Sequence, residues 1–202
     1  MKMPFFASFI IFLIWLSYEI SKSRRRGEKA QDIYWKREAA ANSTRRKSLD
    51  SLNYIAVPFD TLPMDVMAED ERVKEYHRTL HYLAESPIVN FTGLSNTDLK
   101  LKYGAPNIDL LMRYDQSYTT LVRTLQQWAE QLHHAGYIAE AKQILEFSMS
   151  TDTDVSASYR LLAEIYSAEG EKDKIPELIE RAQHLKSASR NIIVRILQES
   201  YR

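Results

Sequence analysis

The chain has 202 residues, 45% of them hydrophobic, with five Gly, six Pro and no Cys, and its 27 basic residues balance 27 acidic ones. That allows one ordinary domain with appendages and enough apolar side chains for a core, which excludes global disorder. Scarce Gly and Pro favour helices, and the absence of Cys excludes disulfide frameworks, thiol nucleophiles and Cys-ligated zinc or iron–sulfur sites.

The zero net charge hides an asymmetry. Residues 22–47 carry ten Lys/Arg against three acids, an excess of seven positive charges. Residues 48–202 carry sixteen Lys/Arg against twenty-three acids, an excess of seven negative ones. The basic block directly follows an apolar N-terminus, and that neighbour decides how it is read.

Residues 3–18 read MPFFASFIIFLIWLSY, without a charge. As a helix this run spans about 24 Å at about 1.5 Å per residue, somewhat short of a hydrocarbon core of about 30 Å. Lys2 and Lys22 can snorkel at its ends, and Trp15 and Tyr18 suit an interface. A cleaved signal peptide fits less well, because no small-x-small site follows the run. Lys22, Arg24, Arg25 and Arg26 follow instead, and such a cluster at the membrane interface resists translocation. Residues 1–20 are therefore expected to form a single-pass transmembrane anchor, with the N-terminus outside and the body cytosolic.

Residues 21–48 form a basic juxtamembrane segment in which Ile33, Tyr34 and Trp35 cluster among charges. Two readings stay open for it: a segment lying on anionic headgroups, each Lys or Arg worth about 1 kcal/mol, or a stop-transfer signal with a solvated spacer. A nucleic-acid patch is disfavoured, since the anchor sets this charge against lipid.

Residues 49–116 read as a helical lead-in with an irregular connector. Tyr54, Ile55, Ala56 and Val57 form a short extended run closed by Pro58, with no second strand to pair it. Val73, Tyr76, Leu80 and Leu83 place a helix over 70–85, stopped by Pro87. Within 87–106, Ser95 and Asp98 can cap a short helix that ends before Gly104.

From 117 onward the pattern repeats at an offset of 34. Leu125, Trp128, Ala129, Leu132 and Gly136 recur as Tyr159, Leu162, Ala163, Tyr166 and Gly170, and the match continues from Ala141, Leu145 and Ser148 to Ile175, Ile179 and Ala182. A fixed period of this length marks stacked helix–turn–helix units. It predicts helices over 119–134, 138–149, 156–168 and 175–185, with a further helix carrying Ile193, Ile196 and Leu197 as a C-terminal cap.

These residues resemble the tetratricopeptide repeat family over about 117–187. The bulky, small and aromatic positions of its first helix are matched by Leu125, Trp128, Ala129 and Leu132, and again by Tyr159, Leu162, Ala163 and Tyr166. Gly136 and Gly170 match the glycine between its helices, and Ala141 the small residue of its second helix. Ile175 departs from that small residue, and Thr153 and Ser187 replace the closing proline. The resemblance implies an all-α helical-hairpin domain with a concave face for a protein or peptide. It places Arg123, Gln126, Glu130, His133, Arg160 and Glu164 on that face.

No Walker A, GxGxxG or HExxH motif is present. His77 and His81 stand four apart with Glu75 nearby, but no third ligand has a recognisable spacing, so a solvated helix face is expected. His133 and His134 end a helix, where the dipole favours positive charge. No carboxylate pair has an acid/base geometry that can be argued. The expectation is a membrane-tethered helical-repeat adaptor, not an enzyme, with no metal, cofactor, small-molecule substrate or nucleic acid. A structural subunit of a membrane complex is the alternative, and an enzyme with a hidden site in 87–106 stands behind both.

Overall fold

The computed structural model describes residues 4–201, with side chains from residue 8. In chain order its helices are α1 (Pro4–Asn42), α2 (Glu71–Ala84), α3 (Asn96–Tyr103), α4 (Ile108–His134), α5 (Ile138–Ser150), α6 (Ser156–Ala168), α7 (Ile175–Gln183) and α8 (Arg190–Tyr201). Single 3-10 turns lie at Ala105–Asn107 and Lys172–Lys174. Among the described residues there is no strand, so the fold is all-α.

The chain divides into two compact units. The first joins α1 and the residues up to Lys47 to the stretch Asn96–Asn107. Its buried apolar side chains are Ala41, Leu99 and Tyr103, a small contact between the end of α1 and α3. Polar groups close around that contact. Arg37 pairs with Asp98 at 2.5 Å, and Lys100 donates to Glu38 at 2.6 Å and to Asn42 at 2.7 Å. Lys100 and the Thr97 hydroxyl hold the Glu38 carboxyl below the usual carboxylate range. The two chain segments also exchange backbone bonds, Lys47 N–H to Tyr103 and Ala105 N–H to Thr44. Gly104 permits this approach: at φ +97° a Cβ there would lie 2.3 Å from the Arg45 carbonyl oxygen.

α1 runs without a break from Pro4 through the rest of the predicted anchor and into the predicted juxtamembrane segment as far as Asn42, so no structural boundary falls at 20/21. Among the described residues no helix is long and apolar enough to cross a membrane, which leaves the predicted single span without support. The physical cause is the brevity of the run: Glu19 and Lys22 follow it at once, and Met1–Met3, where it begins, lie outside the described residues. The apolar side chains that remain are nonetheless exposed on every side, Ile11 and Ile14 to 66% and Phe12 to 49%.

The second unit contains α2, α4–α8 and the segments between them. Asp70 caps α2, its Oδ1 accepting from Arg72 N–H at 2.9 Å and Val73 N–H at 3.1 Å. The predicted lone extended run finds a partner: Tyr54 forms an antiparallel bridge with Val89, and Ile55 N–H donates to the Ile88 carbonyl at 2.9 Å. α4 begins at Ile108 and not near 117, because Pro106 fixes its start and Leu111 and Tyr118 are buried on the same apolar face as Leu121 and Leu125. α6 has its predicted bounds, whereas α7 stops two residues before the expected 185.

α4 packs against α2 and α5, α5 against α6, and α8 against α6 and α7. Leu125, Trp128, Ala129 and Leu132 are fully buried, as are Tyr159, Leu162 and Ala163, with Tyr166 at 5% exposure. Gly136 and Gly170 both adopt positive φ, +89° and +78°, with open space where a Cβ would go. Conformation selects glycine here: the next N–H reaches back to Leu132 in one turn (3.0 Å) and to Tyr166 in the other (2.8 Å), the bond that closes a helix C-terminus through a left-handed residue.

Candidate functional site

A groove of about 460 Å³ opens beside α4 in the second unit. One wall is the connector segment 91–94, the other the turn at Asp154 and Val155. The floor is α4, which contributes Asp115, Tyr118, Val122, Arg123 and Gln126. Recurrence at three, four and seven residues puts these side chains on one helical stripe.

The connector wall is tied down. Asn90 Nδ2 donates to the Tyr118 hydroxyl at 2.9 Å and to the Thr151 and Asp152 carbonyls at 3.1 Å each. Its Oδ1 accepts from Thr92 N–H at 2.8 Å, closing an Asx turn. Tyr118 also donates to the Thr151 carbonyl, and burial raises its phenol well above the ordinary range. The second wall is fixed by Ser187, whose hydroxyl donates to Asp154 Oδ2.

The groove is chemically polarised. Asp115 is half-buried, accepts one long bond of 3.4 Å from Phe91 N–H, and has no ion pair among the described residues. Burial raises its carboxyl above the usual value, and the Phe91 bond only partly offsets this. Two helical turns further along, Arg123 is exposed at the rim.

Of the six residues expected on a concave face, Arg123 and Gln126 line this groove and the others do not. Glu130, Arg160 and Glu164 are exposed and His133 is half-buried, on α4 and α6. The sequence reading missed Asp115, Phe91 and Asp154. Asp115 carried one usable signal, since it stands four residues before Thr119 and eight before Arg123 on the same helix.

The expectation that His77 and His81 occupy a solvated face is corrected for His77, while His81 is exposed. His77 is half-buried with its ring 4.9 Å from that of Trp128, and His81 stacks on Phe59 at 4.4 Å. The His77 imidazole is used in packing because α2 lies on α4 with that side inward. At the N-terminal interface cluster, Arg24, Arg25 and Arg26 are exposed, and Lys22 lies 3.6 Å from Glu19 and 5.7 Å over the Tyr18 ring. Tyr34 and Trp35 are exposed, edge to face at 5.3 Å.

No family model, curated protein or solved structure matches the chain.

Proposed function

We propose that this protein is a membrane-tethered helical adaptor whose second unit binds a peptide segment of a protein partner. The observation that carries the reading is the groove beside α4, with fixed walls and Arg123 at its rim. Its volume falls within the range of about 300–1,000 Å³ usual for ligand sites. The 34-residue offset, with Leu125, Trp128, Ala129 and Leu132 buried like Tyr159, Leu162, Ala163 and Tyr166, supports a tetratricopeptide-like pair of hairpins presenting this face.

The tether reading rests on α1. Apolar side chains exposed all round a helix lose about 25 cal/mol per Å² of favourable burial, so an apolar surrounding stabilises them. The cationic cluster at Lys22 and Arg24–Arg26 suits anionic headgroups and holds the following residues on the cytosolic side. In this reading residues 3–18 enter the bilayer as a single-pass anchor, and the N-terminus lies outside.

The partner segment bears an acidic residue, because a guanidinium at the groove rim can hold a carboxylate through two parallel bonds. Arg160, exposed on α6, is the second basic residue that the resemblance places on the binding face. The double change Arg123→Glu and Arg160→Glu in the full chain tests this. Exposed substitutions shift stability by less than about 0.5 kcal/mol, so the fold should persist while partner capture from detergent-solubilised membranes is lost. Capture of the same partner by the variant contradicts the reading.

A further inference from the structure

The groove beside α4 has charged groups of opposite sign at its two ends, and the spacing between them restricts what can bind. Asp115 and Arg123 lie eight residues apart on one straight helix, a rise of about 12 Å at about 1.5 Å per residue. An extended peptide advances about 3.3 Å per residue, so about four residues bridge the two ends. An even separation also turns both peptide side chains toward the same face.

Asp115 determines the sign. A half-buried carboxylate with a single long hydrogen bond has lost hydration for little return, and an incoming ammonium or guanidinium would supply a charged partner. Asp154, already bonded to Ser187, adds a second carboxylate to the same groove and disfavours an anion seated there alone. Between the ends, Tyr118 and Val122 on the floor and Val155 on the wall give apolar surface suited to the backbone and stems of a peptide. The walls held by Asn90 are already formed, so little ordering has to accompany binding.

We propose that the groove takes an extended peptide of paired charge: a Lys or Arg seated on Asp115 and, four positions away, an Asp or Glu held by Arg123. This rests on the peptide-binding reading and adds to it the cationic residue and the spacing.

Selection of random seven-residue peptides on the immobilised full chain in detergent, with peptides tiled from residues 22–29 of this chain included, tests the proposal. The wild type should enrich a basic and an acidic residue four apart by roughly tenfold over the library, about one decade in affinity. Asp115→Asn, nearly isosteric, should lose the basic preference and keep the acidic one. Arg123→Gln should do the reverse. Acid-only peptides that depend on Arg123 would overturn the paired-charge proposal while leaving the acidic-partner reading standing. No enrichment on the wild type would overturn both. A basic preference that persists in Asp115→Asn would place the cation elsewhere and also overturn it. The 22–29 peptides carry Arg24 and Glu28 four apart. Their enrichment together with the library pattern would make a second copy of this chain one carrier of that pattern, in keeping with the proposal. Their enrichment without the library pattern would overturn it.

Discussion

His77 meets Trp128 edge to face, with ring centroids 4.9 Å apart and planes at 80°. The contact joins α2 to α4 at the centre of the second unit, where Trp128 is fully buried. His77 Nε2 and Trp128 Nε1 are both buried without a hydrogen-bond partner among the described residues. Packing therefore holds the pair together without help from a polar network.

Truncating the indole removes one of the largest buried side chains in the protein. Trp128→Ala should cost about 3–5 kcal/mol, the range for large-to-small core changes. Chemical denaturation of the full chain measures it, and a loss below about 1 kcal/mol would contradict the burial.

Burial lowers the His77 pKa from 6.5, and the neighbouring His81 lowers it further. The fold thus favours the neutral ring, and the unfolded chain binds the proton more readily. The stabilisation is complete above about pH 6.5 and is lost as pH falls from there through the lower folded value. His77→Phe keeps a ring edge on Trp128 without a titratable group. Denaturation midpoints from pH 7.5 to 5 should fall less steeply for His77→Phe than for the wild type.

Gly104→Ala should loosen the first unit selectively. A Cβ at φ +97° would stand 2.3 Å from the Arg45 carbonyl oxygen and 2.8 Å from the Arg46 Cα, so backbone must move. The cost should exceed about 1 kcal/mol. Hydrogen exchange should quicken at 96–107 and stay unchanged in α4.

The tether reading makes a topological prediction from the Lys22–Arg26 cluster. A membrane-impermeant label applied to intact cells should leave residues 30–202 unmodified, and external labelling of Lys100 or Lys142 would reverse the orientation.

The sequence was most legible where local chemistry punctuates a periodic pattern. Asp70 marks the start of α2, and Gly136 and Gly170 end helices through backbone conformations that side chains disfavour. The start of α4 was obscured because Leu110, Leu111 and Met112 are consecutive apolar residues of which only Leu111 is buried. Such a run carries no 3.6-residue period. The continuity of α1 was hidden by its change of composition, though only Gly27 interrupts its side-chain pattern and nothing packs there. The groove was least legible. Phe91 and Asp115 are 24 residues apart, and Asn90 reaches Thr151 across 61, contacts that no local periodicity encodes.

Site-specific photocrosslinking in cells tests the central claim, that the groove beside α4 holds a protein partner. A photoreactive residue replacing Thr119, which lines the groove, is compared with one replacing Gln127, exposed on the same helix but outside the groove lining. The account predicts a discrete protein adduct from position 119 that disappears with Arg123→Glu and is absent from position 127. Equal adducts from both positions, or none from 119 while the chain remains folded at the membrane, would contradict it.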